Sequence, residues 1–244
     1  MTTPLTALLL HGVGSSSDTW WRVREDLADL GWETLALDLA GHGDRPVPAG
    51  GLRTVADLAD DVWEQVADQR FDVLVGHSLG AVVALELAAA HPGLVSQVVL
   101  LDPPALGPGL RVGDVADGVL AQAAAARADL DAMVREVAEA NPRWSLTDAR
   151  GVARNALRVD ADAVATWLRA QQWDLPALVV DCPVPVGLVV ADGPETALVE
   201  PGRSRVLAGL EPGRVVAITG GHGLHRDRPA LFLRALLHLT AGLG

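Results

Sequence analysis

The chain has 244 residues, half of them apolar, and a formal net charge of −12. This length suits one large α/β domain or one domain that carries an insertion. The negative charge argues against nucleic-acid binding, which depends on neutralising phosphates. All 19 basic residues are arginine, and the lack of lysine excludes a lysine Schiff base, a P-loop lysine and a lysine general base.

Compartment and membrane association are constrained by the N-terminus and by cysteine usage. No apolar run reaches the ~18 residues of a membrane span, and the first residues lack both a basic region and a small-residue cleavage site. We therefore expect no signal peptide and no membrane partner. The single cysteine, Cys182, excludes an internal disulfide and fits a reducing compartment, so a cytoplasmic location is expected.

Strand and helix patterns alternate along the first hundred residues. Strands are predicted at residues 5–10, 34–37, 71–75 and 95–101, and helices at 17–30, 54–69 and 81–90. Apolar strands separated by helices predict an α/β fold with a parallel, doubly wound sheet and helices on both faces. Right-handed crossovers would bring the carboxyl ends of all strands to one edge, where ligands bind.

The strand pattern stops between residues 105 and 174, where four helices are predicted at 112–128, 129–140, 145–157 and 160–173. The pattern resumes with strands at 184–191 and 214–218 and helices at 197–210 and 229–239. We therefore predict a core formed by residues 1–104 and 175–244. Residues 105–174 are predicted to form an inserted all-helical cap over the active site, because loops on that edge carry function.

The pentapeptide Gly76-His77-Ser78-Leu79-Gly80 lies between a predicted strand and a predicted helix. This G-x-S-x-G pattern is typical of a nucleophile elbow, in which a tight turn holds the serine in a strained conformation. The two glycines remove the Cβ atoms that would obstruct packing of the strand against the helix. Ser78 is therefore the candidate nucleophile.

A serine nucleophile needs a base, and the base needs an orienting acid. Asp192 directly follows the strand pattern VPVGLVVA, and His222 lies in the glycine-rich loop TGGHG after the last strand pattern. The order serine, acid, histidine is the one expected for an elbow-type site. Because all three residues follow strands of a parallel sheet, the sequence predicts that Ser78, Asp192 and His222 converge as a catalytic triad.

Three other residues compete for these roles. His225 is the alternative base, or a loop histidine that contacts substrate. Asp102 also follows a strand pattern and could supply the acid, and Glu195 is an outside candidate for the same role. The sequence favours His222 and Asp192 but leaves these alternatives open.

An oxyanion hole is predicted where His11-Gly12-Val13-Gly14 follows the first strand pattern. The glycines would let this loop approach the elbow, so that the amides of Val13 and Leu79 serve as the two donors. His11 is expected to brace the loop.

Together these segments resemble the α/β-hydrolase fold superfamily over nearly the whole chain. The matching segments are LLLHGVG, LDLAGHGDRP, GHSLGA, VVADGPE and GGHGLHRDRPALF. In the last segment Pro229 stands seven residues after His222, the spacing of the family's closing motif, whereas His225 does not match it. The resemblance implies a serine hydrolase with a helical cap. The chain also resembles the compact, six-stranded branch that contains plant methylesterases and hydroxynitrile lyases, although the lyases depend on a lysine that this chain lacks.

The predicted activity is hydrolysis of carboxylic esters or related acyl compounds through an acyl-enzyme, without metal or cofactor. A small apolar ester, lactone or similar acyl compound is the expected partner. Alternative functions are a lactonase, an amidase, a carbon–carbon bond hydrolase, a thioesterase that edits biosynthetic intermediates, or a small-ligand receptor on the same fold. The candidate pocket residues are Trp20, Met133, Trp144, Trp167 and His225.

Overall fold

A computed structural model describes residues 3–106 and 111–243. Six parallel strands form one sheet in the order β2-β1-β3-β4-β5-β6. The strands are β1 (Thr6–Leu10), β2 (Glu33–Leu37), β3 (Val73–His77), β4 (Val98–Leu101), β5 (Val186–Ala191) and β6 (Val215–Ile218). The predicted parallel sheet is therefore confirmed. Every residue of β3, β4 and β5 is buried, which accounts for their continuous apolar sequences.

The helices of the described part are α1 (Trp21–Asp29), α2 (Val55–Val66), α3 (Leu79–Ala90), α4 (Val112–Ala128), α5 (Leu130–Ala140), α6 (Leu146–Arg158), α7 (Ala161–Arg169), α8 (Leu175–Asp181), α9 (Gly202–Ala208), α10 (Leu224–Asp227) and α11 (Pro229–Leu239). Alternate residues of each strand face opposite sides of the sheet. Leu8 and Leu10 join a core cluster that contains residues of α2 and α3, whereas Leu9 joins a second cluster with residues of α1 and α11. Helices therefore cover both faces, as predicted.

Several predicted boundaries differ from the structure. The strand predicted at 71–75 is Val73–His77, and Phe71 pairs with Val95 only as an isolated bridge. The helix predicted at 17–30 begins as a 3₁₀ turn over Ser17–Trp20. Helix α8 was not predicted; Asp174 caps its first turn and Pro176 occupies that turn, where proline costs no hydrogen bond.

Helices α4 to α7 lie between β4 and β5, where the four inserted helices were predicted. They bury two small apolar clusters of their own, one around Val119, Ala123 and Val164 and one around Ala126 and Met133. The division into a core and a cap domain stays a prediction, and residues 107–110 of the predicted cap lie outside the described part. None of the helices described here is both long and apolar enough to cross a membrane.

Candidate active site

Ser78 stands at the turn between β3 and α3 with φ 52° and ψ −120°. The turn needs glycine on both sides of the serine. A Cβ atom on Gly76 would lie 2.3 Å from the carbonyl oxygen of Gly80, and one on Gly80 would lie 2.4 Å from the carbonyl oxygen of Leu10. Only glycine permits this close approach of β3, α3 and β1, so the turn has the geometry expected of the elbow.

Backbone strain is concentrated at two residues. Within residues 3–106 and 111–243, Ser78 and Asp102 (φ 43°) are the non-glycine residues with positive φ. Such conformations cost on the order of 1–3 kcal/mol and persist where the surrounding structure enforces them, often at functional sites. Backbone strain therefore marks both Asp102 and Ser78 as candidate functional residues.

Asp102 is the acid that contacts His222. His222 Nδ1 lies 2.6 Å from Asp102 Oδ2, and the Asp102 side chain is fully buried. Because the ionised carboxylate can only accept, this bond places a hydrogen on Nδ1 and leaves Nε2 free to act as a base. The pair has the arrangement of a histidine base with its orienting acid.

The carboxylate of Asp102 is held by three further donors. Its Oδ1 accepts from the Ala191 amide at 3.0 Å and from Thr196 Oγ1 at 2.7 Å, and its Oδ2 accepts from the Ala197 amide at 2.9 Å. A buried carboxylate is tolerated when its oxygens are hydrogen-bonded. These bonds also fix the direction in which Asp102 faces His222.

The predicted contact between Asp192 and His222 is wrong, because His222 bonds to Asp102. Asp192 follows β5 as predicted, but its side chain is exposed. In the sheet order β4 is the direct neighbour of β3, whereas β5 lies one strand farther out, so the residue after β4 lies closer to the elbow. The segment after β5 contributes the Thr196 and Ala197 donors to Asp102 instead. Glu195 is exposed and lies beside Gly221.

The loop that carries His222 is held by contacts with Asp227 and Trp144. Asp227 Oδ2 accepts from the Gly221 amide at 3.0 Å, and the same carboxylate is paired with Arg143, whose Nε lies 2.8 Å from Oδ1. Arg143 belongs to the segment between α5 and α6, so the inserted helices help to position the histidine. Trp144 also packs against this loop, since a Cβ atom on Gly223 would lie 3.1 Å from its ring.

The glycine-rich loop after β1 lies against the elbow. A Cβ atom on Gly12 would be 3.0 Å from both the Ser78 Cβ and the His77 Nδ1. Neither the Val13 amide nor the Leu79 amide donates to another backbone carbonyl among the described residues. Both amides are thus available to an outside acceptor, which is what an oxyanion hole requires.

His11 braces this loop. Its Nε2 accepts from the Leu39 amide at 3.0 Å, so its Nδ1 carries the hydrogen and donates to the Gly12 carbonyl oxygen at 2.8 Å. The imidazole therefore connects the loop after β1 to the segment after β2. This arrangement requires a neutral ring, since a protonated Nε2 could not accept.

A cavity of about 380 Å³ opens over Ser78 and His222. The core contributes Gly12, Val13 and Leu79 to its wall, and the inserted helices and their connections contribute Val112, Val115, Gln122, Trp144, Val152 and Leu168. Apolar side chains form most of this second group. The cavity therefore lies between the sheet edge and the inserted helices.

Of the five candidate pocket residues, Trp144 lines this cavity and the other four do not. Trp20 is fully buried and packs on Phe232 and His225. Met133 lies in the cluster formed by α4, α5 and α6, and Trp167 packs in the main core. These side chains occupy inward helix faces, where apolar burial outweighs any contribution to the cavity wall.

His225 also differs from expectation, because it is buried behind the site. Its Nε2 lies 2.9 Å from Thr19 Oγ1, and its ring packs 4.8 Å from that of His77, centroid to centroid. His77 in turn lies 4.6 Å from the His222 ring and 3.1 Å, at Nε2, from the His222 carbonyl oxygen. His77 thus packs directly against the His222 loop, and His225 packs against His77.

Burial controls the charge of these supporting histidines. It lowers the pKa of His77 and of His225 well below the usual value, with smaller contributions from neighbouring histidines and from Arg226. Burial likewise lowers the pKa of His42, and it lowers the pKa of His11 to about 3. All four rings are neutral in the folded protein at neutral pH.

These pKa shifts predict loss of stability on mild acidification. The unfolded chain binds protons near the ordinary histidine pKa of about 6.5 while the folded protein does not, so the free energy of unfolding must fall as the pH drops below that value. His11 alone should contribute a loss of about 2 kcal/mol between pH 7.5 and pH 5. Urea unfolding at the two pH values measures this loss, and His11→Gln should reduce it.

Burial raises the pKa of Glu86, so this residue opposes the loss of stability on acidification. It is one group, whereas four buried histidines favour the loss. A free energy of unfolding that stayed constant or rose between pH 7.5 and pH 5 would contradict neutral burial of these histidines.

The sequence did not identify the roles of two site residues, Asp102 and Arg226. Asp102 carried the same signal as Asp192, a carboxylate directly after a strand, and only strand order distinguishes them. Arg226 gave no signal, although it lines the same cavity as Ser78. A charged residue in a short helical turn reads as a surface residue until the packing around it is known.

Comparison with known proteins identifies the family of this chain. Residues 7–235 match the family model described as alpha/beta hydrolase family. Lipase LipV of Mycobacterium tuberculosis is 37% identical over 123 residues, which is 48% of this chain and 44% of the lipase. The probable lysophospholipase BODYGUARD 1 of Arabidopsis thaliana is 36% identical over 40% of this chain and 22% of that protein. The chain thus matches less than half the length of either relative.

Solved structures match over nearly the whole chain. An esterase from Exiguobacterium antarcticum has a TM-score of 0.76 at 18% identity and covers 99% of this chain and 93% of its own. A thermophilic esterase from Thermogutta terrifontis has a TM-score of 0.75 at 20% identity, with 100% and 92% covered. At these identities the likeness concerns the fold. The family-model match spans the sheet, the elbow and the histidine loop, and the chain belongs to the alpha/beta hydrolase family.

Proposed function

We propose that this protein is a serine hydrolase that cleaves carboxylic esters or related acyl compounds through an acyl-enzyme on Ser78. His222 acts as the base, and Asp102 takes the role of orienting acid that the sequence had given to Asp192. The observation that carries the proposal is the bond of 2.6 Å between His222 Nδ1 and Asp102 Oδ2, formed beside a strained serine that lines the same cavity. The match to a lipase over about half the chain supports an ester as substrate.

In the first half-reaction, His222 Nε2 removes the Ser78 proton as Oγ attacks the substrate carbonyl. Asp102 keeps the ring in the correct tautomer and stabilises the imidazolium that forms. The amides of Val13 and Leu79 receive the negative charge on the carbonyl oxygen. Each such donor is commonly worth about 2.7–4 kcal/mol in the transition state.

Protonated His222 then gives its proton to the leaving alcohol, and the acyl group stays on Ser78. In the second half-reaction His222 activates a water that attacks the acyl-enzyme, and collapse of the intermediate returns the proton to Ser78. Among the described residues Ser78 Oγ has no side-chain hydrogen-bond partner. Bonds between a nucleophile and its base often become short and well aligned only in the substrate complex.

The inserted helices act as a cap in this proposal. Val112, Val115 and Leu168 line the cavity above the site, so the acyl chain would pack on apolar side chains while the reacting carbonyl faces Ser78. Excluding water from this region strengthens the interactions of the oxyanion with its donors. The volume of about 380 Å³ suits a small substrate.

A series of p-nitrophenyl esters of increasing chain length, combined with a fluorophosphonate probe, tests the proposal. We expect turnover to peak at a short or medium chain, and peptide mapping to locate the probe on Ser78. Labelling of Ser78 without ester turnover would favour a lactone, amide or carbon–carbon substrate. Absence of both labelling and turnover would reject the hydrolase and favour a binding role.

A further inference from the structure

Arg226 brings a cation to the wall of the cavity that holds Ser78 and His222, and it also borders a second cavity that Asp18 and Asp148 line. It lies in the short helix α10, four residues after His222, and its guanidinium carbon is 5.0 Å from the centre of the Trp144 ring. Trp144 lines the first of these cavities. A role for Arg226 in substrate binding rests on the proposed function, because it concerns the substrate of that site.

Among the described residues, the hydrogen-bond partners of the guanidinium are neutral hydroxyl groups. Its Nη2 donates to Ser15 Oγ at 3.2 Å and to Thr19 Oγ1. Among residues 3–106 and 111–243, its nitrogens have no carboxylate oxygen within ion-pair distance, and Nε and Nη1 make no hydrogen bond. An arginine has five N–H donors in a planar fork, so most of its donor capacity remains available.

The carboxylates near Arg226 bind other groups. Asp148 is the carboxylate whose charge most affects Arg226, but its oxygens accept from Trp21 Nε1 at 2.9 Å and from Ser145 Oγ at 2.6 Å. The neighbouring Arg143 is paired with Asp227. Within the described part of the chain, Arg226 thus differs from Arg143 in having no carboxylate within ion-pair distance.

Burial lowers the pKa of Arg226 to about 10, and the attraction of Asp148 offsets only part of this effect. The side chain is therefore still a cation at neutral pH. Withdrawing a charge from water is costly unless an opposite charge or sufficient hydrogen bonds compensate it. An anion that entered the cavity would supply the missing compensation.

We propose that the cavity accepts acyl substrates that carry a carboxylate, and that Arg226 binds this carboxylate while the reacting carbonyl lies at Ser78. The planar fork of arginine matches a carboxylate through two parallel hydrogen bonds. The ring of Trp144 holds the guanidinium plane by a cation–π contact.

Glu195 determines which way such a substrate lies. Its side chain also lines the cavity, with a carboxylate oxygen beside Gly221. Like charges repel, so the substrate carboxylate should lie at Arg226 rather than beside Gly221. The site thus selects one orientation as well as one charge.

The first test compares two p-nitrophenyl esters of equal chain length, the hemiglutarate and its neutral methyl ester. We expect wild type to prefer the hemiglutarate in kcat/KM. Arg226→Gln should lower kcat/KM for the hemiglutarate about 10- to 100-fold, because a hydrogen-bonded charge is lost, and should change the neutral ester only slightly. Arg226→Lys keeps the charge and should retain part of the preference. Arg24→Gln, which removes an exposed arginine on α1, is the matched control for net charge.

The second test is independent of turnover. Glutarate should bind the Ser78→Ala variant in a calorimetric titration, and the binding should disappear when Arg226→Gln is added. Thermal unfolding of each variant shows whether the fold is intact.

Equal losses on both esters in a folded Arg226→Gln variant, or no preference in wild type together with no glutarate binding, would overturn the carboxylate proposal. If neither ester is turned over and the fluorophosphonate probe does not react, the serine-hydrolase function fails. Glutarate binding would still decide the role of Arg226.

Discussion

Asp102→Asn should lower kcat about 10⁴-fold, the size of the loss when the orienting acid of a serine–histidine–acid site becomes an amide. The physical reason lies in the bond of 2.6 Å to His222 Nδ1. An amide nitrogen at this position would donate rather than accept, which would force the hydrogen onto Nε2 and remove the lone pair needed as base. The measurement is kcat on the best p-nitrophenyl ester, combined with the rate of fluorophosphonate labelling.

Asp192→Asn is the matched control for this experiment. Asp192 is exposed beyond the end of β5, and substitutions at such positions usually change stability by less than about 0.5 kcal/mol. We expect its kcat to stay close to wild type. A large loss in Asp192→Asn with near-normal activity in Asp102→Asn would reverse the assignment. Thermal unfolding is needed alongside, because Asp102 also accepts from Thr196 and from two amides.

Ser78→Ala should lower kcat by about 10⁶-fold, the scale measured when a serine nucleophile of this kind is removed. A small residual rate is expected, because the oxyanion donors and substrate binding still act without the nucleophile. Ser204→Ala, which changes an exposed serine in α9, is the matched control and should retain full activity and labelling. Activity close to that of wild type in Ser78→Ala would exclude an acyl-enzyme on this residue.

Ser78→Gly separates the catalytic effect from folding. The serine adopts φ 52°, a conformation that glycine reaches without steric cost. We therefore expect this variant to be inactive and yet at least as stable as wild type toward urea. A less stable variant would show that the serine side chain contributes to holding the elbow together.

Much of the fold could be predicted because its signals are local. The glycines at positions 76 and 80 and the apolar strand before them predict a tight turn, and the structure has this turn because any Cβ atom there would overlap backbone atoms. Helix α2 begins within one residue of the predicted start at residue 54, and the structure shows Thr54 capping it through reciprocal bonds with Asp57. Such features depend on residues within a few positions of each other.

The candidate pocket was predicted poorly for the opposite reason. Trp20, Met133 and Trp167 have the large apolar side chains that often line pockets, yet each packs inside a core cluster. Which face of a helix meets the cavity depends on how helices from distant segments pack. Periodicity identifies an apolar face but not what covers it.

The sequence by itself determined the parallel α/β sheet, the strained turn at Ser78 and the loop position of His222, because strand periodicity, glycine spacing and motif order are local properties. Only the tertiary structure decided that Asp102 rather than Asp192 contacts His222, since both residues end strands and the choice depends on β4 being the neighbour of β3. It also brought Arg226 to the wall of the cavity over Ser78, where no carboxylate oxygen of the described residues lies within ion-pair distance of it. Strand order and charge compensation arise from contacts between residues far apart in the chain, and no spacing within a motif encodes them.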